Sequence, residues 1–369
     1  MKPRFLGAIT ALFLFLAAFS GCVVPDEPYE TGGTAADTSD TSVTLPEGSA
    51  FAIHFIDVGQ ADAALVVCDG KTMLIDGGNA EDSNLIYTYL KKQNISHLDY
   101  VVCTHAHEDH VGGLSGALTA ATAGTVLSPV LDYNSKVFRN FAAKAEERAG
   151  GLTVPVAGQV FSLGAASVTV VGPLKSYDET NDTSIVLRIV YGKTSFLFTG
   201  DMEASAEADL LDAGVTLKST VLKVGHHGSS TSTSYRFLRE VAPIYGVISV
   251  GVDNQYNHPN EDVISRMRDA DVMLYRTDMQ GDVVCTSDGE TVTFYTAKEN
   301  NLPTNPTEGD KTTSDSSAVT EYAYIGNLNS KTFHLPTCSV LPNEENRIYF
   351  TTRQEAVGNG YTACGRCKP

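Results

Sequence analysis

Tryptophan is absent from this 369-residue chain, and basic side chains are scarce: 26 Lys and Arg stand against 44 Asp and Glu, a formal net charge of −18. A broad cationic surface that grips nucleic acid by releasing counterions is therefore excluded. Metal ions can still supply positive charge locally, so the deficit counts against tight DNA binding and not against DNA cleavage. No apolar run after residue 22 is long enough to span a bilayer. No internal repeat occurs. The seven cysteines do not have the spacing of a disulfide framework. Cys68, Cys103 and Cys285 lie in apolar, strand-like stretches where a thiol behaves as a small hydrophobe, with a Cys68–Cys103 bridge left open.

What the chain does have is a concentration of metal-binding side chains, His105-Ala-His-Glu-Asp-His110. Three imidazoles and a carboxylate this close cannot share an apolar core without a heavy desolvation cost. The preceding Leu98-Asp-Tyr-Val-Val-Cys-Thr104 is short and β-branched, which predicts a buried strand. Val111-Gly-Gly-Leu-Ser-Gly-Ala-Leu118 reads as a turn opening into a helix. The cluster is thus expected on a strand-to-helix loop, where irregular backbone can aim several ligands inward. His105 and His107 can grip one divalent cation, and Asp109 and His110 a second, with a hydroxide between them.

The first 22 residues read as a targeting segment. Lys2 and Arg4 precede an apolar stretch from Leu6 to Phe19, which ends in Phe19-Ser-Gly-Cys22. That ending resembles a bacterial lipobox whose Cys becomes lipid-modified, although Phe19 stands where Leu is usual. The alternatives are an ordinary secretory signal or an uncleaved anchor. Residues 23–48, rich in Thr, Gly, Asp, Ser and Pro, read as a solvated tether. Residues 49–298 form the main domain. Strands are expected at 51–57, 63–68, 72–76, 99–104, 125–131, 159–161, 166–171, 184–190, 194–199, 220–224, 244–250, 271–276, 282–286 and 291–296. Helices are expected at 83–93, 135–149, 203–213, 232–241 and 260–269. Two series of strands with interleaved helices imply two sheets faced by helices, an αββα sandwich of the α/β (α+β) class. Residues 299–320 have almost nothing to bury and read as a linker, and 321–369 as a separate small module.

Further motifs follow in order. Phe55-Ile-Asp-Val-Gly-Gln-Ala-Asp-Ala63, Leu74-Ile-Asp-Gly-Gly78, Asn181-Asp-Thr-Ser184, Thr199-Gly-Asp201, Leu222-Lys-Val-Gly-His-His-Gly-Ser229 and His258-Pro259 join Thr104-His-Ala-His-Glu-Asp-His-Val-Gly-Gly113. Together they resemble the metallo-β-lactamase fold superfamily, and within it the extracellular hydrolase domain of ComEC-type competence proteins. Stand-alone secreted relatives and a phosphorylcholine esterase branch are similar too. The resemblance covers about 50–298 and leaves out the membrane channel of those proteins.

Asp201 closes a buried strand after a glycine that allows close approach, and the resemblance implies that it bridges two cations. His226 and His227 end another strand, and His258 lies past a third. The resemblance implies a metal set of His105, His107, Asp109, His110, Asp201, His226 and His258. His227 is then left to bind the substrate's oxyanion or protonate the leaving group. Sequence leaves the division among these three histidines open. No histidine occurs between His110 and His226, where lactamase-type members carry one. Asn181 and Asp182 stand there instead and are read as catalytic beside Asp109. Imidazole-rich donors suit Zn²⁺, and more oxygen donors Mn²⁺. Asp57, Asp62 and Asp76 are expected to orient ligating imidazoles. His54 and His97 are read as non-ligands. Gly228-Ser229-Ser230 is a weak candidate for holding a phosphate at a helix start.

The C-terminal module carries His334-Leu-Pro-Thr-Cys338 and Cys364-Gly-Arg-Cys367, four donors in two tight pairs, the spacing of a closed zinc site. So small a piece has little core of its own, and a structural metal would stabilise it. Phe333, Tyr349, Phe350 and Tyr361 are expected to pack around it. The alternative is one disulfide and a free thiol. Residues 324–369 resemble the metal-binding domain of the Ada DNA-repair protein, in which four Cys hold the metal. His334 replaces the first, so an alkyl-accepting thiol does not follow. Five basic residues against four acidic ones make the module the one part that is not strongly acidic.

The expectation is an exported, lipid-anchored (Cys22) two-metal hydrolase at the outer face of the membrane. It would cut phosphodiester bonds, DNA foremost, through a metal-bridging hydroxide, and carry one structural zinc. The rivals are a phosphorylcholine esterase-like hydrolase of cell-envelope phosphoesters and a non-catalytic DNA-binding lipoprotein.

Overall fold

The computed structural model describes residues 49–298, 302–305, 324–350 and 352–369. The targeting segment with Cys22, the tether and most of the 299–320 linker lie outside the described residues. The first half of the chain forms β1 (Phe51–Phe55), β2 (Ala64–Cys68), β3 (Lys71–Ile75), α1 (Ser83–Lys92), β4 (His97–Val102), α2 (Glu108–Val111), α3 (Leu114–Ala120) and β5 (Thr122–Leu127). Next come α4 (Lys136–Ala149), β6 (Leu152–Thr153), β7 (Val160–Leu163), β8 (Ala166–Gly172), β9 (Val186–Tyr191) and β10 (Thr194–Phe198). The second half continues with α5 (Ala204–Asp212), β11 (Val221–Lys223), α6 (Tyr235–Val241), β12 (Tyr245–Ile248), α7 (Glu261–Asp269), β13 (Met273–Arg276), α8 (Thr277–Gln280), β14 (Val283–Ser287) and β15 (Val292–Thr296). The C-terminal module contains β16 (Tyr324–Asn327), β17 (Thr332–His334), β18 (Arg347–Phe350), α9 (Arg353–Gly358) and β19 (Thr362–Ala363).

Two mixed sheets run β15-β14-β1-β2-β3-β4-β5-β6 and β13-β12-β11-β10-β9-β8-β7. Strands such as β10, Thr-Ser-Phe-Leu-Phe, are buried at every position. They are buried on both sides because one face meets the other sheet and the other face meets helices. Phe51, Phe55, Phe196 and Phe198 fill the space between the sheets, with Phe51 stacked on Phe196 at 4.9 Å. Leu114, Leu118, Phe138 and Phe141 cover the outer face of the first sheet from α3 and α4. Leu210, Phe237, Leu238 and Met267 do the same for the second from α5, α6 and α7. This is the expected αββα sandwich. Strands β3-β4-β5 and β10-β11-β12-β13 run parallel, so their carboxyl ends gather on common edges.

Three local expectations change. Helix α6 starts at Tyr235 and not at 232, because Ser234 caps it and Thr233 takes a left-handed backbone (φ 55). Ser229 and Ser230 therefore precede the helix and offer no N-terminal phosphate seat; the Ser229 N–H is spent on the His226 carbonyl. The described part of the linker is packed: Thr304 and Asn305 are buried, and the Thr304 hydroxyl donates to Leu274 O. Among the described residues no helix is long and apolar enough to cross a membrane.

Candidate active site

The loop after β4 is set by the preceding strand end. Asp76, one residue past β3 with φ 58, accepts the Thr104 backbone N–H at 2.7 Å and the Thr104 hydroxyl at 2.7 Å. The loop then returns onto the same turn. Gly77 N–H donates to His110 O and Gly113 N–H to Gly78 O. A Cβ on Gly113 would lie 1.9 Å from Gly77 O, so only glycine permits this approach. The Thr104–Gly113 segment is thereby packed against the carboxyl end of β3, with His105 and His110 fully buried.

The donor atoms converge from both sheets. His105 Nε2 lies 3.0 Å from His107 Nδ1. Asp109, His110, Asp201 and His227 bring one ligand atom each within 4.8 Å of one another. Asp201 stands between the two groups. Its Oδ1 is 3.2 Å from His110 Nε2, while Oδ2 is 4.0, 3.5 and 3.6 Å from Nε2 of His105, His226 and His227. His227 Nε2 is also 3.3 Å from Asp109 Oδ2.

The outer contacts fix the tautomers. His110 Nδ1 faces Asp76 Oδ2 at 2.9 Å, and His227 Nδ1 faces Ser249 O at 3.0 Å. With Nδ1–H donated outward, each ring in its neutral form would turn a bare Nε2 inward, the form that a bound cation would select. Those two Nε2 atoms and Asp201 Oδ1 are buried and make no hydrogen bond. Lone pairs facing carboxylate oxygens without a donor between them repel, so the residues present fit a cation. Electrostatics agree. Burial opposes charge on His110, yet Asp201, Asp76 and Asp109 hold its pKa well above the ordinary value. Burial is likewise overridden at His227, raised to about 10 by Asp201, Asp62 and Asp109. Asp109 drops to about 2 despite its burial, through His110 and His227. Asp201 falls well below the usual carboxylate range for the same reasons. A site that draws protons this strongly will exchange them for divalent metal.

The histidines are divided differently from the expectation. His227, read as a substrate-binding residue, sits among the donors. Consecutive left-handed residues, His226 (φ 51) and His227 (φ 52), turn the second ring inward. His258, read as a ligand, is one ring removed: it lies 5.7 Å from His226 between ring centres and stacks on Tyr256. Burial, then His226 and His227, lower its pKa to about 4, so it is neutral. Asn181 and Asp182 are not among the converging donors. Asn181 donates to Glu203 Oε1 at 3.1 Å, and Asp182 Oδ1 accepts the Glu203 N–H. They pin Glu203, whose Oε1 lies 3.4 Å from His226 Nδ1. Glu203 and Lys223 are the residues sequence reading missed. Lys223 Nζ lies 2.8 Å from both oxygens of Asp62, whose Oδ1 is 3.5 Å from His227 Nδ1. A lysine inside an otherwise apolar strand end was the available signal. Of the expected outer carboxylates, Asp76 and Asp62 touch ligating rings, whereas Asp57 N–H pairs with Asp282. His54 hydrogen-bonds Tyr89, and His97 meets Thr122.

A second donor group lies in the C-terminal module. His334, Cys338, Cys364 and Cys367 each bring a ligand atom within 4.8 Å of the others. All six described cysteines, Cys68 and Cys103 included, are free thiols. Phe333, Phe350 and Tyr361 pack together in a cluster separate from the one that holds Cys338, Cys364 and Cys367, and Tyr349 is exposed.

Two bodies of donors, one built from sheet ends and one thiol-rich, fit a metal-dependent hydrolase with an appended metal module. Residues 56–252 match the family model of the metallo-beta-lactamase superfamily, and residues 311–369 that of the metal binding domain of Ada. The chain belongs to the metallo-beta-lactamase superfamily. It is 32% identical over 241 residues to competence protein ComA of Neisseria gonorrhoeae, covering 64% of this chain and 32% of that protein. It is 26% identical over 250 residues to ComE operon protein 3 of Bacillus subtilis, covering 63% and 32%. The chain thus spans about a third of the length of these curated relatives. The crystal structure of the metallo-beta-lactamase fold protein YhfI from Bacillus subtilis aligns with a TM-score of 0.43 at 12% identity, covering 66% of this chain and 100% of that one.

Proposed function

We propose that this protein is an exported, lipid-anchored phosphodiesterase acting on DNA or a comparable phosphodiester. The observation that carries the reading is Asp201, whose Oδ1 lies 3.2 Å from His110 Nε2 while its Oδ2 lies 3.5 to 4.0 Å from Nε2 of His105, His226 and His227. Two divalent cations held by such a set would lower the pKa of water toward neutrality and offset phosphoryl charge. His105, His107 and Asp201, with His226 beside them, would hold one; Asp109, His110, His227 and Asp201 would hold the other. The zinc-type imidazole majority is tempered by the two carboxylates, so Mn²⁺ is the second metal to assay. His258, half-buried beside His226, would meet substrate rather than metal on this reading. No Ser or Cys nucleophile is needed for this chemistry. Kinship with competence proteins supports DNA as the substrate, and Cys22 as the lipid attachment point supports action outside the cell.

A second reading keeps the chemistry and changes the substrate. A cleft of about 360 Å³ beside His258 is lined by Asp253, Glu261, Asp278 and Arg276, and Asp278 pairs with Arg276. Glu261 is paired with Arg268 in turn, which leaves Asp253 as the negative charge of the lining that a cationic substituent such as choline would meet. The deciding assay offers duplex and single-stranded DNA, bis-p-nitrophenyl phosphate and p-nitrophenyl phosphorylcholine to the Zn²⁺- and Mn²⁺-loaded protein. DNA cleavage that His107→Ala lowers by at least about 100-fold supports the first reading. Turnover of phosphorylcholine alone moves the second ahead. Equal activity in wild type and His107→Ala sinks both.

A further inference from the structure

We propose that Asp271 of the hydrolase domain is the outer carboxylate of the C-terminal metal site, so that metal binding there and docking of the module onto the hydrolase domain are one linked equilibrium. The inference rests on reading His334, Cys338, Cys364 and Cys367 as a metal site. His334 ends β17 and is fully buried. Its Nε2 lies 3.1 Å from Asp271 Oδ1, and its Nδ1 lies 3.4 Å from Cys338 Sγ. A neutral imidazole has one N–H and one lone pair. Asp271 takes the N–H, which leaves the Nδ1 lone pair for the thiol cluster. The ring is therefore the physical link between the two domains.

This accounts for histidine where the Ada-type site has cysteine. A thiol has a single ligating atom and nothing left to reach a second partner. Imidazole has two nitrogens on opposite sides, and spans from metal to carboxylate. The remainder of the docking surface points the same way. Asp271 Oδ1 also accepts from Asn327 of the module at 3.2 Å. Asn343 and Asn346 both donate to Asp269 Oδ1, and Arg268 Nε donates to Asn343. The apolar share is small, with Met273 of β13 against Ile325, Val340 and Leu341. An interface this polar is exchangeable by default, and an outer-sphere bond to a metal ligand strengthens it.

Asp271 has φ 54, in the turn between α7 and β13, a backbone that Gly and Asn accept without strain. Asp271→Gly and Asp271→Asn thus test the carboxylate while sparing the turn. Zinc affinity of the full chain is read by competition with a chromophoric chelator, with Cys364→Ser/Cys367→Ser defining which equivalent belongs to this site. Hydrogen exchange of the Glu261–Asp269 amides reads docking. Asp271→Gly is expected to weaken zinc at this site by about 10- to 100-fold, with Asp271→Asn between it and wild type. Active-site metal content should be unchanged, which certifies the fold. Zinc should slow exchange in Glu261–Asp269 in the wild type. In His334→Cys, which keeps a four-ligand set without the link, it should not. Zinc binding within twofold of wild type in Asp271→Gly, or exchange indifferent to zinc in the wild type, would overturn the coupling. If Cys364→Ser/Cys367→Ser loses no metal, the site itself falls and the coupling with it.

Discussion

Lys223 and Asp62 form an ion pair with 2.8 Å contacts to both carboxylate oxygens, with side chains only 4% and 7% exposed, directly behind His227. Burial raises the cost of each charge alone, and their pairing, with His227 beside Asp62, offsets it. Lys223→Met should remove the main partner of the buried Asp62, lowering stability by about 3 to 5 kcal/mol. Lys223→Met/Asp62→Leu should recover much of that loss. Guanidinium unfolding midpoints of the two variants check this; equal midpoints would refute it.

Asp76 orients the His110 ring through the 2.9 Å contact to Nδ1. Asp76→Asn keeps an oxygen for the Thr104 N–H and suits the left-handed backbone at this position. Its amide N–H, however, would face His110 Nδ1 and force the ring proton onto Nε2, among the donors. Metal affinity at the active site should fall by about 10- to 100-fold with the fold retained. Chelator competition, with circular dichroism as the control, measures it.

Gly113 is fixed by proximity and not by dihedral angle. Its Cβ would meet Gly77 O at 1.9 Å, a backbone atom that cannot rotate away. Gly113→Ala should cost about 1 to 3 kcal/mol or more and loosen the His105–His110 loop. Gly358→Ala, where a Cβ meets nothing within 4 Å, is the matched control. Comparable thermal midpoints for the two would contradict the packing argument.

Asp282 gives a pH dependence far from the metals. Burial first, and Asp57 second, raise its pKa from 3.8 to about 6, against the pull of the Asp57 N–H. The folded protein therefore holds this proton more tightly than the unfolded chain does. Its contribution is complete below about pH 4 and is lost as pH rises through about 6. Asp282→Asn keeps the acceptor for Asp57 N–H and removes the charge. The variant should gain roughly 2 to 3 kcal/mol over wild type at pH 7 and show no gain at pH 4. Denaturant titrations at the two pH values give the difference, and an equal gain at both would exclude this origin.

Much of the architecture was legible because its signals are local. The stretches expected as strands at 63–68, 99–104 and 194–199 needed only their own composition to be placed, and the helix expected at 83–93 only its periodicity; the observed elements are Ala64–Cys68, His97–Val102, Thr194–Phe198 and Ser83–Lys92. Boundaries slipped where a side chain won over propensity, as at Ser234, which caps α6 three residues later than expected. Thr304 and Asn305 read as linker, since their polar side chains reveal nothing of the partners Leu274 O and Arg268 that bury them.

The sequence by itself determined that donors suited to metal are gathered here, because donor types and their spacing in His105–His110, and in His334–Cys338 with Cys364–Cys367, are properties of short segments. It also determined the two-sheet frame, since alternating and continuous apolar runs are written residue by residue. Tertiary structure alone decided which of His226, His227 and His258 join the donors. Two left-handed residues rotate His227, not His258, toward Asp109 and Asp201. Tertiary structure alone also placed Asp271 against His334 and Lys223 against Asp62. These partners are brought together by sheet order and domain packing, and hydrogen bonds across such separations leave no periodic trace in the chain.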